Sequence, residues 1–207
     1  MIEVDAVIFD CDGVLFESRR ANLAYYNTIL RHFGLPDVTA RDRGKAHLCH
    51  TAASPRVFEE LLGKELVSAA LDFASGVDYR SFIPHMEPEP GMPAALATLS
   101  DRMPLAVATN RGTSMSEILR HFGLGGYFSA VVTSRDVQRP KPHPDMLELA
   151  SRQLGLAPER LLFVGDSELD REAALAAGVR FAAYKGQVDS ELEVRGYDEL
   201  VELICGT

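Results

Sequence analysis

The sequence predicts an α/β fold in which a parallel β-sheet core is interrupted by an all-helical insertion. Two observations indicate this arrangement. Short apolar segments alternate with helix-like segments over the second half of the chain, which is typical of parallel β-α-β units. One isolated strand-like segment precedes a long stretch with helical periodicity and no strand pattern. The first strand is too apolar to stand alone, and we therefore expect it to join the later sheet.

The first element is a buried strand over residues 4–10, which are rich in β-branched and aromatic side chains. A helical pattern begins at about Ser18, and Gly34 is placed to end that helix. Helical spacing continues through residues 57–62 and 66–73, and no strand pattern occurs between Phe16 and Pro84. This part of the chain is therefore predicted to be a small helical bundle.

Residues 87–91 combine glutamates, prolines and a glycine, which predicts a loop or hinge. Strands and helices alternate after it. The predicted strands are 105–109, 130–133, 161–164 and, as the last strand, 179–183; the predicted helices are 94–99, 115–122, 145–154 and 168–177. These elements predict a core of residues 1–16 and 88–207 and a helical cap of residues 17–87, with hinges near Glu17 and residues 88–90.

Charge, hydropathy and cysteine spacing disfavour several classes of function. The formal net charge is -9, which disfavours binding to nucleic acid or to an anionic membrane surface. No uncharged apolar stretch approaches the roughly 18 residues of a membrane span. Acidic residues interrupt the early apolar segment, so no secretory signal is predicted. The three cysteines are widely spaced, a pattern that predicts neither disulfides nor a zinc site. We expect a cytoplasmic protein, monomeric or homodimeric.

The chemistry is expected at the carboxyl ends of the strands, where open parallel sheets bind ligands. The residues found there, strand by strand, are Asp10 and Asp12, then Thr109 and Asn110, then Lys141, and finally Asp166 and Asp170. Several carboxylates at one point repel each other unless a cation neutralises them, and oxygen ligands of this kind suit Mg²⁺. With the metal in place, Asp10 can attack phosphorus to form an aspartyl-phosphate.

The remaining strand-end residues have complementary roles. Asp12 is suited to protonate the leaving oxygen and later to deprotonate the attacking water. The hydroxyl of Thr109 and the neighbouring amides can hold the transferring phosphoryl group, and we expect Asn110 to contact the substrate. Lys141, between two prolines, can offset negative charge on the phosphate and the nucleophile.

These residues resemble the four signatures of the haloacid dehalogenase superfamily: Asp10-x-Asp12-Gly13, Thr109-Asn110, Lys141-Pro142 and Gly165-Asp166-Ser167-x-x-Asp170, in that order along the chain. The resemblance implies a Rossmann-like core with an inserted helical cap, as in phosphoglycolate phosphatases and β-phosphoglucomutases. It also implies Mg²⁺ held by Asp10, the backbone carbonyl of Asp12, and Asp166, with Asp170 supporting directly or through water. The sequence departs from the subfamily at Glu17, where Asp is usual.

The predicted cap contains candidate substrate-binding residues, but its sequence indicates them less clearly than the strand ends indicate theirs. Arg43-Gly-Lys45-Ala-His47 contains a glycine that would allow a tight turn carrying three potential cations, and we predict Arg43 and Lys45 as substrate-binding residues.

The resulting prediction is a Mg²⁺-dependent phosphatase acting on a small phosphorylated metabolite. A phosphomutase shares the aspartyl-phosphate step and stays open as an alternative. A haloacid dehalogenase is disfavoured because that chemistry has no use for a second aspartate at position 12 or for an acidic metal cluster. A regulatory protein without turnover is disfavoured because the nucleophile, lysine and metal carboxylates are all present.

Overall fold

A computed structural model describes residues 2–206. In chain order, the strands within that range are β1 (Ala6–Phe9), β2 (Phe16–Glu17), β3 (Glu87–Pro88), β4 (Leu105–Thr109), β5 (Phe128–Thr133), β6 (Leu161–Gly165), β7 (Arg180–Tyr184) and β8 (Leu192–Val194). The α-helices are α1 (Arg19–His32), α2 (Arg43–Thr51), α3 (Ser54–Leu62), α4 (Val67–Ser75), α5 (Met92–Ser100), α6 (Ser114–His121), α7 (Asp145–Leu154), α8 (Glu168–Ala177) and α9 (Tyr197–Cys205).

Six strands form one parallel sheet in the order β5-β4-β1-β6-β7-β8. The α/β prediction is confirmed, and so is the expectation that the first strand joins the later sheet, since β1 lies between β4 and β6. Alternate residues of β1 face opposite sides: Val7 and Phe9 pack with α5, α6 and α9, whereas Ala6 and Ile8 pack with α7 and α8. All four of these side chains are fully buried, which explains why β1 is apolar throughout.

Residues 17–87, called the cap segment below, contain α1 to α4 and short 3₁₀ turns. Many of their apolar side chains form a separate cluster, in which Tyr26, Ile29, Val57 and Phe58 are buried. Others, among them Tyr79, Phe82 and Ile83, pack in the cluster that also contains Val7 and Phe9 of β1. Helix α1 ends where expected, because Gly34 adopts a φ of 71° that terminates a helix readily. The division into two domains stays a prediction.

Three predictions about individual elements are wrong. The segment 87–91 is not only a loop, because Glu87 and Pro88 pair antiparallel with Glu17 and Phe16. Residues 43–47 do not form a tight turn, since Gly44 lies inside α2. The strand at 180–184 is not the last, because β8 and α9 follow it. Strand β8 has only three residues, one of them glutamate, and its pattern is too short to predict a strand.

Helices α7 and α8 match their predicted bounds. No helix within residues 2–206 is long and apolar enough to cross a bilayer. Because the sheet is parallel, the carboxyl ends of β1, β4 and β6 lie side by side at one edge, and the candidate site is built there.

Candidate active site

Three aspartates from two strand ends meet at the centre of this edge. Asp10 follows β1, Asp166 follows β6, and Asp170 lies in the first turn of α8. Each offers a carboxylate oxygen, and these oxygens lie within 4.8 Å of one another. Two glycines make the approach possible. A Cβ on Gly13, whose φ is +79°, would lie 2.0 Å from Asp166 Oδ2, and a Cβ on Gly165 would lie 2.5 Å from Asp170 Cβ.

Lys141 joins this cluster from the loop between β5 and α7. Its Nζ donates hydrogen bonds to Asp10 Oδ1 at 2.8 Å, Asp170 Oδ1 at 2.5 Å and the Ala108 carbonyl at 3.0 Å. The residue is only 4% exposed. Burial by itself would lower the pKa of Lys141, but the adjacent Asp10 and Asp170 raise it above its usual range, and the amine stays protonated.

Asp170 is held on both oxygens. Its Oδ1 accepts from Lys141, and its Oδ2 accepts from the backbone N–H of Ser167 at 3.1 Å and from the Ser167 hydroxyl. Ser167 and Asp170 form a reciprocal capping box at the start of α8. The carboxylate of Asp170 is therefore fixed by the same residues that begin the helix.

The cluster carries more negative charge than Lys141 can balance. Burial raises the pKa of Asp10 to about 7, with Lys141 opposing the rise. Burial, together with repulsion from Asp170 and Asp10, raises the pKa of Asp166 to about 8. Asp166 Oδ1 is buried and has no hydrogen-bond partner. Three clustered carboxylates, one of which has a buried oxygen without a partner, supply the hard oxygen ligands that a divalent cation such as Mg²⁺ takes, so these residues fit a metal site.

Asp12 lies two residues from Asp10 but belongs to a different network. Its Oδ1 accepts from Arg111 Nη2 at 2.5 Å, from Asn22 Nδ2 at 3.0 Å and from the Ser18 hydroxyl. Burial raises the pKa of Asp12, but the Arg111 guanidinium outweighs this effect and leaves the pKa below its usual value. These hydrogen bonds fix the carboxylate through a single oxygen.

Arg111 is the site residue that the sequence reasoning missed. It is 9% exposed, and besides Asp12 its guanidinium donates to Asn22 Oδ1 at 2.8 Å and to the Tyr79 hydroxyl at 2.6 Å. Asn22 and Tyr79 both belong to the cap segment, so Arg111 connects it to the sheet edge. A signal was present, because Arg111 directly follows the predicted pair Thr109 and Asn110 at the end of β4.

Thr109 and Asn110 lie beside the cluster as predicted from their strand-end position. Thr109 is 1% exposed, and its hydroxyl oxygen accepts from the backbone N–H of Arg111 at 3.2 Å. The amide of Asn110 donates to the carbonyls of Thr51 and Lys141, at 3.0 and 3.2 Å. Asn110 therefore ties α2 of the cap segment to the lysine loop.

A cavity of about 550 Å³ opens between the cap segment and the sheet edge. Asp12, Asn22, His50, Asn110 and Arg111 are among its lining residues. Burial lowers the pKa of His50 to about 4, so this imidazole is neutral at physiological pH. Its Nε2 lies 3.9 Å from Asp166 Oδ2 and has no hydrogen-bond partner.

The predicted substrate residues of the cap segment lie elsewhere. Arg43 and Lys45 are exposed in the first turn of α2. Neither lines the cavity described above or a second cavity of about 530 Å³ beside the lysine loop, although His47 lines the second one. Their assignment to substrate binding stays a prediction.

Comparison with known proteins agrees with this fold. Residues 7–184 match the family model of haloacid dehalogenase-like hydrolases. A phosphoglycolate phosphatase of Salmonella typhi is 30% identical over 203 residues, which cover 84% of this chain and 79% of that enzyme. A phosphoglycolate phosphatase of Escherichia coli K12 is 46% identical over 77 residues, which cover 37% of this chain but only 31% of that enzyme.

Solved structures extend the comparison. A subfamily IA hydrolase of the same superfamily from Geobacter sulfurreducens is 40% identical, with a TM-score of 0.84 over 97% of this chain and 100% of that one. CbbY from Rhodobacter sphaeroides, solved in complex with phosphate, shares the fold at 22% identity, with a TM-score of 0.78 over 95% of this chain and 96% of that one. The chain belongs to the haloacid dehalogenase-like hydrolase family.

Proposed function

We propose that this protein is a Mg²⁺-dependent phosphatase that hydrolyses a small phosphorylated metabolite through an aspartyl-phosphate on Asp10. One observation carries the proposal: Asp10, Asp166 and Asp170 place carboxylate oxygens within 4.8 Å of one another, with the Lys141 amine bonded to two of the three. The relatives named phosphoglycolate phosphatase support a small phosphorylated acid as one substrate to test.

The metal would be held by the carboxylates of Asp10 and Asp166, with Asp170 beside them, and when bound it would supply positive charge to the phosphoryl oxygens. The fit rests on the unpartnered, buried Asp166 Oδ1 and on the raised pKa values of Asp10 and Asp166, both of which indicate uncompensated negative charge. The backbone carbonyl of Asp12 is proposed as a further ligand by resemblance to the family.

The first half-reaction transfers the phosphoryl group to the protein. A carboxylate oxygen of Asp10 attacks phosphorus, and the bond from phosphorus to the substrate oxygen breaks. Asp12, a carboxylate in the free protein because its pKa is lowered, takes up one proton from solvent when the substrate dianion binds and gives that proton to the leaving oxygen. Lys141 bonds Asp10 Oδ1, so it orients the nucleophile and offsets charge as the phosphate approaches. Because Asp12 Oδ1 already accepts three hydrogen bonds, Oδ2 is the oxygen left to carry the proton.

The second half-reaction hydrolyses the aspartyl-phosphate and regenerates the free Asp10 carboxylate. Asp12, now a carboxylate, takes a proton from a water molecule as that water attacks phosphorus. The bond between phosphorus and Asp10 breaks, which releases inorganic phosphate and the free carboxylate. Asp12 then returns its proton to solvent as phosphate leaves, so the cycle balances with one proton taken up and one released.

The test is hydrolysis of an aryl phosphate by the purified protein. Activity should require Mg²⁺, disappear with EDTA and return when Mg²⁺ is added in excess. Asp10→Asn should remove it under all of these conditions, while a circular dichroism spectrum like that of the unmodified protein shows that the variant folds. Hydrolysis that survives EDTA or Asp10→Asn would overturn the proposal.

A further inference from the structure

His50 is a buried polar residue of the cap segment that the proposed mechanism does not use. It lies in the last turn of α2, is 5% exposed, and lines the cavity of about 550 Å³ between the cap segment and the sheet edge. Its Nε2 is buried and has no hydrogen-bond partner among residues 2–206. A buried polar atom without a partner costs stability, so its position beside reacting groups indicates a contact that a bound molecule completes.

The hydrogen bonds of Asn22 determine which ring nitrogen of His50 carries the proton. Asn22 Oδ1 accepts from Arg111 Nη2 at 2.8 Å and from the Tyr79 hydroxyl at 3.2 Å. The amide nitrogen of Asn22 is thereby fixed as the atom that faces Asp12 Oδ1 at 3.0 Å and His50 Nδ1 at 3.4 Å. Because an amide N–H group can only donate, Nδ1 of His50 is the acceptor, and the proton is assigned to Nε2.

The ring that carries this proton is a neutral imidazole. A second proton on Nδ1 would face the amide protons of Asn22, and burial lowers the pKa of His50 to about 4. The Nε2 donor lies 3.9 Å from Asp166 Oδ2, which is too far for a hydrogen bond. Residues 2–206 therefore present a buried N–H group without an acceptor directly beside the carboxylate cluster.

The surroundings of the imidazole indicate what the missing acceptor is. One ring nitrogen is joined through the Asn22 amide to Asp12, the proposed acid, and the other lies beside Asp166, a proposed metal ligand. A phosphoryl group bonded to Asp10 would lie next to both of these aspartates. Asp166 itself is the weaker candidate, because its carboxylate is assigned to the metal and the two buried side chains are not within bonding distance.

We propose that His50 is a further catalytic residue, which donates its Nε2–H to an oxygen of the phosphoryl group as Asp10 receives that group. The inference rests on the proposed phosphatase function and adds to it a contact from the cap segment. The imidazole keeps its proton throughout, so the proton transfers assigned to Asp12 are unchanged. The hydrogen bond forms only when a phosphoryl group is present and α2 covers the sheet edge.

Two variants separate the roles of the two ring nitrogens. The amide nitrogen of a glutamine side chain reaches about as far as Nε2 and can supply an N–H group there. Asparagine instead places its oxygen near Nδ1, where it can accept from Asn22, and has no group at the position of Nε2. A contact with the phosphoryl group predicts that His50→Gln is more active than His50→Asn. A purely structural role through Asn22 predicts the reverse order.

Hydrolysis of an aryl phosphate measures the effect of each variant. His50→Asn should lower kcat/KM by about tenfold to 100-fold, the range expected for one hydrogen bond to a charged group, and His50→Gln should recover part of that loss. His85→Asn is the matched control, because His85 also belongs to the cap segment but is exposed and lines neither cavity. Near-normal kcat/KM in His50→Asn, or lower activity in His50→Gln than in His50→Asn, would overturn the proposal.

Calorimetry separates this inference from the phosphatase proposal and from an effect on the metal. Titration of the Mg²⁺-loaded protein with inorganic phosphate should show an affinity about tenfold or more weaker in His50→Asn. The affinity for Mg²⁺ alone should be nearly unchanged, because the three carboxylates are intact. Equal phosphate affinity in the two proteins, or an equal loss of Mg²⁺ affinity, would contradict the role of His50. Failure of the unmodified protein to hydrolyse any phosphate ester would instead contradict the phosphatase proposal.

Discussion

The site contains two buried cations, and their surroundings differ. Lys141 contacts Asp10 and Asp170 within a cluster of three carboxylates, whereas the Arg111 guanidinium pairs with the single carboxylate of Asp12. The cluster around Lys141, called the lysine side below, is therefore short of positive charge, whereas the pair of Arg111 and Asp12, called the arginine side, is balanced. The two aspartates of one short motif thus occupy opposite electrostatic environments: the pKa of Asp10 is raised to about 7 and that of Asp12 is lowered.

This difference assigns separate tasks to the two sides. A cluster with excess negative charge attracts a metal cation, whereas a balanced ion pair holds the Asp12 carboxylate in position for proton transfer. The two sides meet at Asp10 and Asp12, where the proposed phosphoryl transfer takes place. Each prediction below changes a residue on one side and gives the expected effect on catalysis, on metal binding or on stability.

The largest effect is expected from Asp12→Asn. An amide cannot carry the transferred proton, and general acid–base catalysis contributes about 10²- to 10⁴-fold, so kcat with an alkyl phosphate should fall by that factor. Mg²⁺ affinity should change little, because the carboxylate cluster at Asp10 is intact. Steady-state kinetics and calorimetric titration with Mg²⁺ check both parts. Near-normal kcat would refute the acid/base role of Asp12.

Lys141→Ala should lower kcat by at least ~100-fold, the scale seen when one preorganised charge-stabilising group is removed. The buried amine bonds both Asp10 and Asp170, and its loss leaves their charge uncompensated. Lys185→Ala is the matched control, since Lys185 is partly exposed and pairs with Glu89 away from the cluster. A loss below tenfold in Lys141→Ala would show that this lysine is peripheral to the reaction.

Metal binding should change how stability depends on pH. Because the pKa values of Asp10 and Asp166 are raised to about 7 and about 8, the metal-free folded protein holds protons that the unfolded chain has released above about pH 4. The free energy of unfolding without metal should therefore fall as the pH rises from about 5 to about 8. Mg²⁺ binds the carboxylates in place of those protons and should oppose this fall, so its effect should be largest at high pH. A free Mg²⁺ concentration of 100 times the Kd should raise the free energy of unfolding by about 2.7 kcal/mol.

Thermal unfolding with EDTA or with Mg²⁺, at several pH values, measures this effect. Asp166→Asn is the control, because it removes one carboxylate of the cluster and should weaken both the pH dependence and the response to Mg²⁺. A melting temperature that rises with pH in EDTA, or that ignores Mg²⁺ throughout, would contradict the account of the lysine side.

Two glycines with similar backbone angles provide the smallest and most local test. Gly13 and Gly34 have φ values of 79° and 71°, so alanine should cost about 1–2 kcal/mol of stability at Gly34 and more than that at Gly13. A Cβ on Gly34 meets nothing within 4 Å, whereas one on Gly13 would overlap Asp166. Only Gly13→Ala should therefore weaken Mg²⁺ binding, as calorimetry can measure. Equal Mg²⁺ affinity in the two variants would show that Gly13 serves only the turn.

The sequence was sufficient to predict the central part of the molecule and insufficient at its edges. The strands that bear the site are apolar on both faces because helices cover them, and this double burial makes them recognisable. The parallel order of these strands brings Asp10, Lys141, Asp166 and Asp170 to one edge of the sheet, as their strand-end positions indicated. Helix α9 was missed although its buried residues Tyr197, Leu200 and Ile204 have helical spacing.

Contacts between distant segments could not be predicted in the same way. Arg111 bonds Asn22 and Tyr79, which are 89 and 32 residues away in the chain, and nothing in local periodicity encodes those pairings. His50 likewise reaches Asp166 only through the packing of α2 over the sheet edge. Conversely, Arg43 and Lys45 have the expected charge but lie on an exposed turn of α2, because helical geometry directs neighbouring side chains to different faces.

The most direct test of the central claim is to trap the phosphoryl group on the protein. An aryl phosphate has a good leaving group that needs little help from an acid, so Asp12→Asn should still be phosphorylated in Mg²⁺ but should lose the phosphoryl group slowly. Intact mass spectrometry should show one added phosphoryl group, and peptide mapping should place it on Asp10. Release of the aryl alcohol without any phosphorylated protein, or a phosphoryl group on another residue, would contradict the account.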